Sequence, residues 1–232
     1  RIWPGHGRLV EDAALLTRLL AGRYPDTPVY LVGKSMGAAV VLLTLAEYPD
    51  LPVAGSVLIA PAVWGFDAMP WYQRAALWLG VRLAPSLSFS ASSVRRLGIE
   101  PTDDPEIMAR LAEDPLILRR ARVDTLHGVT ETMSLALAAA GRLPEPALIL
   151  YGEEDQVIPP EAICALLERL PEQGETPGLR LALYPEGYHM LTRYTGRALT
   201  EADLAAWLVD PAAALPSGHE RTRGGLRRRL CP

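Results

Sequence analysis

Pro28-Val29-Tyr30-Leu31-Val32 runs directly into Gly33-Lys34-Ser35-Met36-Gly37, and that pentapeptide runs directly into a helix-prone stretch over residues 38–48. An apolar, β-prone run, a tight turn and a helix with a serine at the apex predict a nucleophile elbow, in which a strained turn lifts Oγ clear of a sheet. Glycines are expected on either side because a side chain there would collide with strand or helix. The same three elements also fit a glycine-rich strand-to-helix turn without chemistry, so the reading depends on what else the chain supplies.

A serine hydroxyl is a weak nucleophile, and it needs a histidine to take its proton and a carboxylate to orient the imidazole. The chain has four histidines. His6 lies near the start, His127 in a helical stretch and His219 in a basic tail. His189 instead follows the strand-like Leu179-Arg180-Leu181-Ala182-Leu183-Tyr184 across Pro185-Glu186-Gly187-Tyr188. Its loop leaves the same edge of a parallel sheet as the elbow, the carboxyl edge where ligands and chemistry collect. Ala147-Leu148-Ile149-Leu150-Tyr151 predicts another buried strand, with Gly152-Glu153-Glu154-Asp155 as its exit loop. Asp155 is preferred over Glu153 and Glu154, since a short carboxylate in a constrained loop is better placed to receive an imidazole N–H. The order Ser35, Asp155, His189 is that of α/β-hydrolases.

The elbow, Tyr151-Gly152-Glu153-Glu154-Asp155-Gln156-Val157-Ile158-Pro159 and Tyr184-Pro185-Glu186-Gly187-Tyr188-His189-Met190-Leu191 resemble the corresponding segments of monoacylglycerol lipase and lysophospholipase-like α/β-hydrolases. The resemblance runs over residues 3–209. It implies Ser35 as nucleophile, His189 as general base and then acid, Asp155 as orienting acid and the Met36 backbone N–H as one oxyanion donor, with no metal or cofactor. Two positions depart from the family pattern. Lys34 stands where His or Glu is common, and Ala38 where a second glycine is common.

The spacing of the predicted strands implies an inserted unit. About 85 residues separate the strand around residues 53–60 from the one at 147, far more than a bare connection needs. Residues 61–143 are therefore expected to form a helical cap between two core segments, 1–60 and 144–209. Helices are expected near residues 70–79 and 115–123. Trp64, Met69 and Trp71 are candidates for an acyl pocket, since each buried methylene is worth about 0.8 kcal/mol; the alternative is that they only fill the cap's own core. Residues 9–23 carry Leu15, Leu16, Leu19 and Leu20 at helical spacing.

In the family the elbow follows the fifth strand of eight, whereas 27 residues precede Pro28 here and no initiating Met is present. The expectation is an α/β chain holding the last four strands and the cap, without the loop that supplies a second oxyanion donor. His6-Gly7 invites comparison with that loop but sits too close to Ser35.

Of 232 residues, 49% are hydrophobic and 22% charged, with a net charge of −4, which suits a globular domain and argues against nucleic-acid binding. No apolar run reaches the length of a membrane span. Two cysteines make no disulfide framework, so a reducing, cytoplasmic setting is the default. Lys34 is the single lysine. Residues 210–232 end in an Arg-rich segment and are expected to form a disordered solvated tail, or else to touch an anionic membrane surface. The leading reading is a serine hydrolase of monoacyl-lipid esters. Other α/β-hydrolase activities (small ester, thioester, peptide) and a non-catalytic binder of hydrophobic ligands or partners are the alternatives.

Overall fold

The computed structural model describes residues 2–90, 98–171 and 178–231. Helix α1 (His6–Arg23) leads into β1 (Tyr30–Lys34), α2 (Met36–Glu47) and β2 (Gly55–Ile59). A short helical turn, Phe66–Ala68, then opens a peripheral unit. It comprises α3 (Trp71–Leu83), β3 (Ser88–Ser90), α4 (Pro105–Glu113) and β4 (Arg120–Arg122). The chain returns through α5 (Val123–Ala139) to β5 (Ala147–Gly152), α6 (Pro160–Arg169), β6 (Leu179–Tyr184), α7 (Arg197–Val209) and α8 (Arg223–Leu230).

The main sheet has the order β1-β2-β5-β6 and is parallel throughout, with Tyr30 opposite Gly55, Val57 opposite Leu148 and Ala147 opposite Leu179. Its inner strands are apolar on both faces because helices cover both. Along β5, Ala147, Ile149 and Tyr151 enter a core shared with α2, α5 and α6, while Leu148 and Leu150 point to the opposite core with Tyr184, Leu191 and Trp207. Among the described residues no helix is long and apolar enough to cross a membrane.

Helix α1 forms where the leucine spacing predicts it, with Leu15, Leu16, Leu19 and Leu20 exposed and Val10, Ala14 and Thr17 buried against the rest of the chain. Helix α5, assigned from sequence to the cap, packs on α2 and contributes Ala136, Leu137 and Ala139 to the sheet's core. Residues 115–119 form turns rather than a helix and lead into β4, which pairs antiparallel with β3.

The C-terminal residues are not a disordered tail. Residues 219–221 run along the outer side of β6, with the Leu183 N–H donating to the His219 carbonyl at 3.0 Å and the Arg221 N–H to Leu181 at 2.9 Å. Helix α8, capped by the Thr222 hydroxyl, follows and buries Leu226. Cys231 is disulfide-bonded to Cys164 of α6, with Cα atoms 5.6 Å apart, where two free thiols were expected. A spacing of 67 residues could not disclose that contact, because only the docking of α8 brings the two cysteines together.

Candidate active site

Ser35 stands between β1 and α2, as the cap of that helix, with φ 52° and ψ −118°, a left-handed backbone that costs an ordinary residue strain. The strain is held from both sides. The Ser35 N–H donates to the Ile59 carbonyl at 2.9 Å, and the Ala62 N–H donates to the Ser35 carbonyl at 3.1 Å. Ala60 takes φ 45° between those two residues, turning the chain so that both bonds can form. Nothing in an alanine announces such a turn, and sequence reasoning missed it.

The two elbow glycines differ. A Cβ on Gly33 would lie 2.5 Å from the Gly37 carbonyl oxygen and 2.6 Å from Ala38 Cα, so the strand-to-helix approach requires glycine there. A Cβ on Gly37 would meet nothing within 4 Å, so the collision expected at that position does not occur against the described chain. Met36 is the first residue of α2. Its N–H belongs to the helix's first turn, where backbone donors lack helical acceptors and the helix dipole favours negative charge.

The acid loop is built around one carboxylate. Asp155 Oδ1 accepts the N–H groups of Val157 at 2.8 Å and Ile158 at 2.9 Å, which fixes the side chain and leaves Oδ2 to bond His189 Nδ1 at 2.8 Å. Asp155 is 5% exposed and His189 7%. The Tyr151 hydroxyl donates to the Ile158 carbonyl at 2.7 Å and stiffens the loop further, while burial together with the charges of Asp155 and Glu161 pushes that phenol well above its usual range. Glu153 is turned toward Arg229, and Glu154 is exposed.

The acid and histidine loops touch through glycines. A Cβ on Gly152 would lie 2.0 Å from the Gly187 carbonyl oxygen, and the Glu154 N–H donates to that carbonyl at 2.9 Å. The peripheral unit grips both loops from outside. The Glu100 N–H donates to Gln156 Oε1 at 3.0 Å, the Met190 N–H to the Pro101 carbonyl at 2.8 Å, and the Thr102 hydroxyl to the Arg193 carbonyl at 2.6 Å.

With Nδ1–H given to Asp155, His189 keeps Nε2 as its free basic nitrogen. Because β1, β5 and β6 are parallel, Ser35, Asp155 and His189 all leave the sheet at its carboxyl edge. Lys34 lies among them electrostatically. Its ammonium is held below the usual lysine range, first by burial and then by Arg193, with Asp155 opposing. His127 of α5 packs at a tilt against Phe66, His219 packs edge-on against Tyr184, and His6-Gly7 form the first residues of α1. Among the described residues, His189 is the histidine within ion-pair distance of a carboxylate.

The three acyl-pocket candidates are not brought together. Trp64 lines a cavity of about 210 Å³ with Ser134, Glu161 and Arg169, a partly charged lining. Met69 is half-buried outside that cavity, and Trp71 stands 79% exposed with its ring edge-on to Tyr72. Two other aromatics of the region, Phe66 and Trp78, line a separate cavity of about 390 Å³ with His127, Ala75 and Arg74, whose lining includes none of the three candidates.

Residues 1–194 match the model of the serine aminopeptidase, S33 family. A monoacylglycerol lipase of Mycolicibacterium smegmatis is 29% identical over 226 residues, which covers 88% of this chain and 75% of that protein. The human monoglyceride lipase is 33% identical over 172 residues, covering 72% of this chain and 53% of its own length. This chain thus spans between about half and three quarters of these relatives. A crystal structure of a Paleococcus ferrophilus monoacylglycerol lipase superposes with a TM-score of 0.65 at 26% identity, over 86% of this chain and 75% of that one. With the elbow, the parallel sheet and the acid–histidine pair in place, the chain belongs to the serine aminopeptidase S33 family, among its monoacylglycerol lipase-like α/β-hydrolases.

Proposed function

We propose that this site cleaves carboxylic esters of monoacyl lipids through an acyl-serine intermediate. The observation that carries the reading is the buried Asp155–His189 pair, oriented by two backbone N–H groups, at the sheet edge where the strained Ser35 emerges. His189 Nε2 takes the Ser35 proton as Oγ attacks the ester carbonyl. The oxyanion that forms is met by the Met36 N–H at the start of α2. Collapse of the tetrahedral species expels the alcohol, which leaves with the proton from His189. Water then enters, gives its proton to the same nitrogen and releases the fatty acid, regenerating Ser35. Asp155 holds the imidazole tautomer throughout.

The lipid substrate rests on the named relatives, while the scattering of Trp64, Met69 and Trp71 favours a shorter acyl group as the second reading. Fluorophosphonate labelling followed by peptide mapping tests the first part: modification at Ser35, lost in Ser35→Ala and strongly slowed in His189→Ala, is expected. Labelling elsewhere, or unchanged labelling in His189→Ala, would overturn it. Asp155→Asn should slow turnover by about 10⁴. Hydrolysis rates across a series of monoacylglycerols from short to long chain then decide between the two substrate readings.

A further inference from the structure

Helix α8 reaches the acid loop. Arg229 donates from Nε and Nη2 to the two carboxylate oxygens of Glu153 at 2.7 and 3.0 Å, a bidentate geometry that fixes orientation as well as distance. Glu153 lies two residues before Asp155, and its own N–H donates to the Tyr184 carbonyl at 3.0 Å, where the histidine loop begins. Its side chain is mostly buried, and the guanidinium holds the carboxyl below its ordinary range.

The helix that carries Arg229 is anchored at both ends. At its start the Arg223 guanidinium donates to the carbonyls of Leu170 and Pro171 just past α6. At its end Cys231 is bonded to Cys164 within α6, and Leu226 is buried between. Arg229 is itself largely solvent-exposed, and the disulfide two residues on, together with buried Leu226 and the Arg227–Glu168 pair, limits how far it can move from Glu153. An exposed ion pair contributes little when its partner is free to move; a tethered one can act as a strut.

We infer that α8 is a strut that positions the acid loop, with Arg229 and Glu153 as positioning residues, and that the Cys164–Cys231 bond locks it. The inference rests on the hydrolase reading above. A dithiol reductant would break the S–S bond, delivering two electrons and two protons and closing to its own disulfide. Cys164 and Cys231 would be left as thiols, and the end of α8 that carries Arg229 would lose its covalent tie to α6 while Arg223 still holds its start. Asp155 would then orient His189 less well.

The test compares the oxidised 232-residue chain with the same chain after dithiothreitol, and with Arg229→Met, Arg229→Lys and Cys231→Ser. Two readouts are used, the rate of fluorophosphonate labelling at Ser35 and the far-downfield proton resonance of the Asp155–His189 hydrogen bond. Reduction and Arg229→Met should each slow labelling about tenfold, a fraction of the ~100-fold that an ångström of misplacement can cost, and should weaken the resonance. Arg229→Lys should recover part of both, and Cys231→Ser should no longer respond to reductant. Unchanged rate and resonance after reduction would overturn the inference, even if the melting temperature fell. Two free thiols in the aerobically purified chain would do the same. If Ser35 labels in no state, the hydrolase reading fails, and the resonance alone still judges the strut.

Discussion

The two edges of the sheet are treated in opposite ways. Beyond β6, residues 219–221 supply backbone partners, and the buried Arg180 guanidinium is closed on Glu220 and on the carbonyls of Pro211 and Ala213. Past that strip, α8 is disulfide-bonded to α6. At β1 no described strand lies outside the edge. Val32 is 52% exposed, and an apolar groove of about 490 Å³ runs between the edge and α1, lined by Leu9, Leu16, Leu20, Val32 and Val40. Ser35 stands at the end of the open strand, while Asp155 and His189 are held near the closed one. The nucleophile is therefore fixed by its own turn and by β2, whereas the acid and base are fixed by a continuous network of loops, peripheral segments and the C-terminal helix.

That contrast makes unequal demands on stability. The largest effect should come from the closed side: opening the Cys164–Cys231 bond releases a loop of 67 residues, for which chain entropy alone suggests about 4 kcal/mol. Denaturant melts with and without reductant measure it, and a loss below about 1 kcal/mol would show that the closed edge does not need its tether. Leu181→Ala, on fully buried β6, should cost about 3 kcal/mol, while Val32→Ala on the open edge should cost under about 0.5. Equal costs would erase the comparison. Glu220→Ala strands the buried Arg180 charge, and because Glu220 itself is 37% exposed we expect about 2 kcal/mol rather than the full cost of breaking a buried pair.

The open edge should show itself in association more than in stability. Unpaired strand edges with apolar surroundings recruit other strands, and a charge on the edge prevents it. The chain is expected to self-associate in size-exclusion chromatography, and Val32→Lys to shift it toward monomer while changing stability by less than about 0.5 kcal/mol. A monodisperse wild-type chain would contradict this. The smallest effect concerns Lys34, the last residue of β1. Its pKa is lowered by burial, so over the alkaline window below its ordinary value the unfolded chain binds the extra proton and stability rises with pH. Lys34→Met should flatten that slope, which pH-dependent melts can follow.

Much of this is legible in the amino-acid sequence. Residues 147–151 are apolar without alternation, which is what a strand buried on both faces must be, residues 179–184 break that pattern at Arg180 alone, and the exit loops of the two runs carry the acid and the histidine. The elbow was legible because strain, glycine and a strand-to-helix boundary coincide within five residues. Glu153 and Glu154 could be set aside only by an argument about side-chain length; the structure shows the separate reason that Glu153 is committed to Arg229, some 76 residues away.

The sequence by itself thus determined the parallel core strands, the elbow at Ser35 and the candidacy of Asp155 and His189, since each depends on local pattern and chain order. Only the tertiary structure decided which faces were buried. The leucine stripe of α1 points out because its periodicity fits a buried face and an uncovered one equally well. Tertiary contact also decided that Trp64 and Trp71 part company, that α5 joins the core, and that an Arg-rich end folds into a helix. An arginine-rich run resembles a solvated tail until a distant carboxylate, a pair of carbonyls and a cysteine give it somewhere to dock, and those partners are set by the fold rather than by neighbours in sequence.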